Sequence, residues 1–524
     1  MATNHSRTLY KDYEAALLGK AKAEEQVDRL NRQCKKLKLF ADGLQRESDR
    51  KDLVITALNT QVTALNKQNS ELLREIARLE ALLGTDGTNS SLPTSQTPIH
   101  KEKVIPNSRE KSGKAKGGQP GHEKAKLEKH EDYEITEHIV HKEEACPECG
   151  GALVETGVDI TKDVTDFHIV IDNIRHHFPE CRCEKCGKIS RVRIPNMLKE
   201  ENQYGPHIQA TVLELMNVAS VPVNKVQKMI SGLTGGYINL SEGYIMKQQK
   251  QAAKGLKRFH ADMRKHCLAM PMLYWDDTVV FVDTKRACFR FYGDEKAAYY
   301  TAHEHKDKAG VTEDGILSLL PPETVVMHDH NIVNYSGEFS FTNIECNAHL
   351  LRDLQKVYDH TQHIWALEAK KLISEQIHKR NKLVAEGSTG FREEDIRNFF
   401  TSLYAIIYAA TEEAKETTAR YGGDEERALL LRLAGYRDAY FAWVTNFELP
   451  VTNNLSERSL RGCKTKMKVS GQFQVTESAR NYAVIKTYLE TCARNGINEM
   501  DALMHLCMRK CYRAHDVLTN TGCE

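Results

Sequence analysis

The chain has 524 residues, material for roughly three or four domains. Lys and Arg total 73 against 72 Asp and Glu, so attraction to a polyanion must come from local basic patches, and a uniformly basic nucleic-acid coat is excluded. No apolar run reaches the ~20 residues of a membrane helix, no secretory leader is expected, and scattered cysteines fit a reducing compartment better than a disulfide framework. A cytoplasmic, nucleoid-associated protein without membrane partners is expected.

Residues 1–84 read as one long helix with a heptad repeat. Leu58, Leu65, Leu72 and Leu79 recur at d, with Leu30, Leu37 and Leu44 continuing that register backwards; Ile55, Val62, Asn69, Ile76 and Leu83 occupy a. β-branched residues at a with Leu at d favour a parallel dimer, and Asn69 at a fixes register. The expectation is a leucine-zipper-like coiled coil making a homodimer or higher oligomer; an amphipathic helix packed on its own chain is the alternative. Periodicity then stops. Residues 85–130 are rich in Ser, Thr, Pro, Gly and Lys, cannot bury enough apolar surface to order themselves, and read as a basic flexible linker. GGQPGH, from Gly117 to His122, reads as a rigid turn within it.

In residues 131–200, CPECGG and CRCEKCGK supply two C-x2-C-G knuckles, and Cys146, Cys149, Cys183 and Cys186 are expected to hold Zn2+ in a four-thiolate ribbon. Cys181 is an extra thiol that could replace Cys183, but only Cys183 reproduces the x2 spacing of the first knuckle. Residues 201–268 return to helical periodicity, broken at Gly235 and Gly236, with Ser241 able to cap the last long helix. That is a helix-turn-helix-like pattern, which would offer Tyr244, Lys247, Gln248 and Lys250 to DNA; a plain helical connector fits equally well.

Residues 269–365 read as MLYWDDTVVFVD, ACFRFYGD and AAYYTAHE strands, a helix over TEDGILSLLP, then the strand ETVVMHD and a fifth strand before a helix. Three antiparallel strands followed by parallel ones make the core of an RNase H-like sheet, with Asp276 central and Asp329 at the neighbouring strand's exit. Residues 366–445 are helical by pattern, an insertion, and residues 446–524 return to the core with Asn453 or Asn454 able to cap a helix carrying Glu457. The fold expected is therefore α/β and multidomain. Two strand-borne acids and one helix-borne acid, Asp276, Asp329 and Glu457, can converge on a pair of Mg2+ or Mn2+ ions that clamp an in-line phosphoryl displacement. Alternation puts Asp277 on the opposite face from Asp276, so one of the two faces the ions. Arg461 and Lys464 share a helical face with Glu457 and would meet DNA phosphates or serve as surface ion-pair partners. Cys346 and His349, a C-x2-H pair, read as structural.

NSSLPTSQTP, GGQPGH, the two knuckles, WDDTVV, ECNAHLLRDL and NNLSERSLRGCKTKMKVSGQF together resemble the motifs of TnpC-type transposases of the insertion-sequence family sixty-six, a DDE transposase group. The resemblance implies catalytic roles for Asp276, Asp329 and Glu457, double-stranded DNA (transposon ends and target) as substrate, and two small accessory proteins as partners. It implies cleavage at a transposon end, then strand transfer into target DNA. Three departures stand out: His330 and Asn331 follow the second acid where the family has Gly-Tyr, Gly462 replaces a proline, and Leu351 replaces one of two arginines. A DNA-binding regulator, a domesticated inactive transposase and a nuclease without strand transfer are the alternatives.

Overall fold

The computed structural model describes residues 3–84, 131–141, 143–195, 198, 200–416 and 421–519. The linker expected over 85–130, with GGQPGH and NSSLPTSQTP, lies outside them. Helix α1 (Thr3–Gly84) is a single rod. Its heptad side chains are uncovered: Leu58, Leu65, Leu72 and Leu79 are 46% to 62% exposed.

The cysteine-bearing segment has almost no regular structure. A short antiparallel hairpin, β1 (Glu180–Arg182) and β2 (Ile189–Arg191), frames the second knuckle. Four helices follow: α2 (Pro206–Asn217), α3 (Val223–Leu233), α4 (Glu242–Gly255) and α5 (Lys257–Leu268). Gly235 and Gly236, with φ of 56° and 83°, turn the chain between α3 and α4, and the Ser241 hydroxyl caps α4 by accepting from Tyr244 N at 3.1 Å. Val212, Val226, Ile230, Ile238, Leu240 and Ile245 close a small core among α2, α3 and α4. One expectation fails here: Gln248 is buried, because it lies on the α4 face that packs inward, and it cannot reach a groove. Its neighbour Gln249 is buried too, in a reciprocal amide pair with Asn217 at 2.8 and 2.9 Å.

A five-stranded mixed sheet carries the rest: β3 (Met272–Val282), β4 (Lys285–Gly293), β5 (Ala298–His303), β6 (Val325–His328) and β7 (Thr342–Glu345), in the order β5-β4-β3-β6-β7. β3, β4 and β5 are antiparallel; β6 and β7 run parallel to β3. The β3–β4 turn is tight and uses no glycine. Asp283 and Thr284 take φ of 45° and 63°, and the turn is held by Asp283 N to Phe473 O at 3.0 Å and Thr284 N to the Gln472 side chain at 2.9 Å.

The helix expected over TEDGILSLLP is displaced. α6 (Lys308–Asp314) ends at Gly315, whose φ of 63° is a left-handed cap, and only a 3-10 turn over Leu317–Leu319 follows. Sequence periodicity ran through the glycine; the Arg264 guanidinium fills the place where a Cβ would stand, 2.6 Å away, and donates to Gly315 O at 2.7 Å.

After β7 come α7 (Asn347–Thr361), α8 (Trp365–Ala385), α9 (Glu393–Glu416), α10 (Gly423–Gly435) and α11 (Arg437–Thr445), which share an apolar core around Leu350, Leu354, Trp365, Phe399, Phe441 and Trp443. The chain then returns to the sheet through α12 (Asn454–Val469) and α13 (Thr476–Arg494), and ends in α14 (Glu499–Cys507) and α15 (Ala514–Thr519). Leu460, Cys463 and Tyr482 pack on Phe289, Phe291 and Tyr300 of the antiparallel strands. Two buried hydroxyls stitch α13 to the edge strand: Thr487 accepts from Tyr300 N at 2.9 Å and Thr491 accepts from Ala298 N at 3.2 Å.

Gly315→Ala should lower unfolding free energy by at least about 1–2 kcal/mol, the cost of a left-handed non-glycine residue, with the Arg264 clash added. Urea denaturation followed by tryptophan fluorescence measures it.

Candidate active site

The parallel β3–β6 pairing, which sets Tyr274 against Met327, carries Asp276 level with Asp329 when continued by two residues. Asp329 leaves β6 just where the strand ends, and Glu457 stands in the first turn of α12. The closeness of the two strand acids shows in their electrostatics. Burial pushes the Asp276 carboxyl well above the usual range, and the negative charges of Asp329 and Asp277 add to the shift. Asp329 goes the other way: burial works to raise it, but His349, Asn453 and Arg352 outweigh burial and hold it below the usual value.

α7 supplies the cations. His349 Nδ1 stands 2.9 Å from Asp329 Oδ1, an ion pair whose approach lies off the direction of a hydrogen bond. Its Nε2 is 3.6 Å from Glu457 Oε1. Burial opposes the charge on His349, yet contact with Asp329 and Cys346 raises it to about 11, so the ring is an imidazolium at neutral pH. One helical turn on, Arg352 Nη2 donates to Glu457 Oε1 at 3.0 Å.

Asn453 organises the junction. It is fully buried and occupies the N-cap position of α12, but its side chain makes no capping bond. Instead Nδ2 donates to Trp275 O at 2.9 Å and lies 3.5 Å from Asp329 Oδ1. Its backbone N–H donates to Cys346 Sγ at 3.1 Å. The cap expected from Asn453 or Asn454 is thus corrected: the amide ties the start of α12 to β3 and to the exit of β6.

Asp277 is engaged elsewhere, with Lys306 Nζ at 2.7 Å from its Oδ1. Asp329, Cys346 and His349 bring one potential ligand atom each within 4.8 Å of one another. The carboxylates of Asp276, Asp329 and Glu457 offer oxygen donors, the chemistry that a hard divalent ion such as Mg2+ or Mn2+ takes, but their oxygens are not drawn together as closely as the ligand atoms of Asp329, Cys346 and His349. Arg461 and Lys464 are exposed along α12 beyond Glu457, and Lys247 and Lys250 are exposed on α4.

The knuckles are formed but stand apart. Gly150 N donates to Cys146 O and Gly187 N to Cys183 O, each at 2.8 Å, and Gly150 and Gly187 have φ of 73° and 72°. The sulfurs of Cys146, Cys149, Cys183 and Cys186 are not gathered into one group; among the described residues the cluster at Asp329 is the sole set of three potential ligands.

Sequence reasoning missed three side chains that set the electrostatics. Arg352 was legible, because it lies three residues after His349 on one helical face. Asn453 was visible only as a cap. Nothing in the sequence marked Lys306 as the partner of Asp277.

Over residues 201–481, from just before α2 into α13, the chain matches the sequence model of a transposase family, which makes it a DNA-processing enzyme that binds DNA. The family is Transposase IS66; the match covers more than half of the chain, and the chain belongs to that family. No curated protein matches it. No helix among the described residues is long and apolar enough to cross a membrane.

Asn453→Ala should cost about 1–3 kcal/mol by leaving Trp275 O without its donor. Asn453→Asp should cost more, since it turns an acceptor toward that carbonyl and adds a charge beside Asp329. Guanidinium denaturation of the two variants gives the order.

Proposed function

We propose that this transposase cuts DNA at transposon ends and joins the freed strand to target DNA, using Asp276, Asp329 and Glu457 as its catalytic acids. The observation that supports the reading is that Asp329 and Glu457 share His349 of α7 and that Asp276 feels the charges of both Asp329 and His349, while Asp277 is occupied by Lys306. The sheet with its returning α12 and α13 is read as an RNase H-like domain, interrupted by α8 to α11.

Divalent ions held by Asp276, Asp329 and Glu457 would supply Lewis-acid activation of the attacking oxygen and charge neutralisation at the leaving one. In the cut, water gives up a proton as its oxygen bonds to phosphorus, the bond from phosphorus to the 3′ oxygen breaks, and that oxygen takes a proton to become a 3′-hydroxyl. In the joining step this hydroxyl loses its proton and bonds to a target phosphorus, and the displaced target 3′ oxygen takes up a proton. One phosphodiester replaces another, so no ATP is needed. Arg461 and Lys464 lie along the face that leads away from Glu457 and can hold backbone phosphates. Lys247 and Lys250 offer a second basic surface on α4. The paired turns at Cys146–Cys149 and Cys183–Cys186 supply the donor chemistry of a zinc ribbon.

With Mg2+ and end-bearing DNA, Asp276→Asn, Asp329→Asn and Glu457→Gln should each slow nicking and joining by about 10^3-fold, or about 4 kcal/mol of barrier. Asp277→Asn should stay within about tenfold of wild type. Full activity in Asp276→Asn would overturn the assignment; cutting without joining would favour a nuclease, and binding without either reaction a regulator.

The assembly follows from α1. Two copies are proposed to pair through it, parallel and in register. The seam is exposed, the half-buried positions Ala77, Arg78 and Ala81 lie on the other face, and α1 meets α7 of its own chain. A parallel pair sets Asn69 against its own copy, where two amides satisfy each other. Cys34, also exposed and also at an a position, then meets its counterpart. A short bis-maleimide should join two full-length chains, and Cys34→Ser should abolish that product. A dimer by sedimentation with no Cys34-dependent product would show an antiparallel pairing instead.

A further inference from the structure

The residue after Asp329 departs from the motif that the sequence otherwise resembles, and the structure gives it a definite task. His330 Nδ1 lies 2.7 Å from Glu345 Oε1. Glu345 is fully buried at the end of β7, and the same oxygen accepts from the Tyr335 hydroxyl at 2.6 Å. Its Oε2 has no partner, so the hydrogen bonds on Oε1 carry the compensation for burying this carboxyl. The imidazole is held on its faces as well: Tyr440 stacks at 6.4 Å and 19°, Tyr436 meets it edge-on at 5.2 Å, and Tyr335 lies at 5.8 Å.

These contacts reach into the helical segment. Tyr436 and Tyr440 bracket the start of α11, and the Tyr440 hydroxyl accepts from Arg432 Nε at 3.2 Å. Arg432 in turn donates to Asp353 of α7 at 2.8 Å. On the other side of Asp329, His328 Nε2 is bonded to Asn343 of β7 at 2.7 Å. Asp329 therefore projects from a backbone pinned on both sides, and the His330 pin is anchored in β7 and α11 together.

We propose that His330 is a positioning residue: through Glu345 and the Tyr335–Tyr436–Tyr440 cluster it fixes the backbone from which Asp329 presents its carboxylate to a divalent ion. It rests on the reading of Asp329 as a metal ligand. His330, committed to Glu345, is not proposed as a ligand. It acts as an outer support, of the kind whose removal weakens a metal site without removing a donor.

The test is Mn2+ binding to the full-length protein, followed by the loss of the free-ion electron paramagnetic resonance signal, with circular dichroism as a check of folding. His330→Ala should raise the dissociation constant at this site about tenfold. His330→Asn places an amide nitrogen near the position of Nδ1 and should restore affinity to within about threefold of wild type, a rescue that bulk packing alone does not supply. If His330→Ala does not fold, Glu345→Gln, which keeps the shape and removes the charge, carries the same expectation of weaker binding. Asp329→Asn separates the two ideas: unchanged Mn2+ binding there overturns the metal-ligand reading, whereas weakened binding there with wild-type affinity in His330→Ala and Glu345→Gln overturns the positioning role.

Discussion

The junction depends on one buried amide. Asn453 has no access to solvent, and from that position it bonds the Trp275 carbonyl, approaches Asp329 with the same nitrogen and, through its backbone, reaches the Cys346 thiol. A buried amide of this kind costs free energy unless it is bonded, so once placed it demands that β3, the exit of β6 and the starts of α7 and α12 keep their mutual positions. Glu457 follows one turn behind, where Arg352 and His349 of α7 both reach it.

The charge balance around that junction explains how three acids tolerate one another. Asp276 is removed from water and lies beside the negative charges of Asp329 and Asp277, and its carboxyl accordingly resists ionisation. Asp329 and Glu457 share His349, and Glu457 also has Arg352. Asp277 escapes the conflict by turning to the other face of β3, where Lys306 meets it. Alternation along a strand thus sorts two adjacent acids into different electrostatic settings.

Much of this was legible because its signals are periodic. The heptads of α1 and the apolar runs of the sheet strands with acids at Asp276 and Asp329 rest on local patterns that tertiary structure left intact. What the sequence did not disclose was decided by partners far along the chain. Gly315 ends α6 in a left-handed cap with Arg264 standing where a Cβ would be; Gln248 turned inward because α4 packs on that face; Asn453 gave up capping because Trp275 offered a buried carbonyl. The two cysteine knuckles illustrate the same limit, since each turn is local but their meeting is not.

The β3–β4 turn gives the site a further property. Phe473 and Gln472, just past the end of α12, bind the turn at Asp283 and Thr284, and Phe473 N donates to Phe281 O at 3.0 Å. α12 is therefore fastened just before its first residue by Asn453 and just past its last by the hairpin, like an axle seated in two bearings. A slip of one helical turn along its axis, about 5.4 Å, would have to break both ends at once. The depth at which Glu457 enters the cluster is thus set by the far end of the helix as much as by its own neighbours.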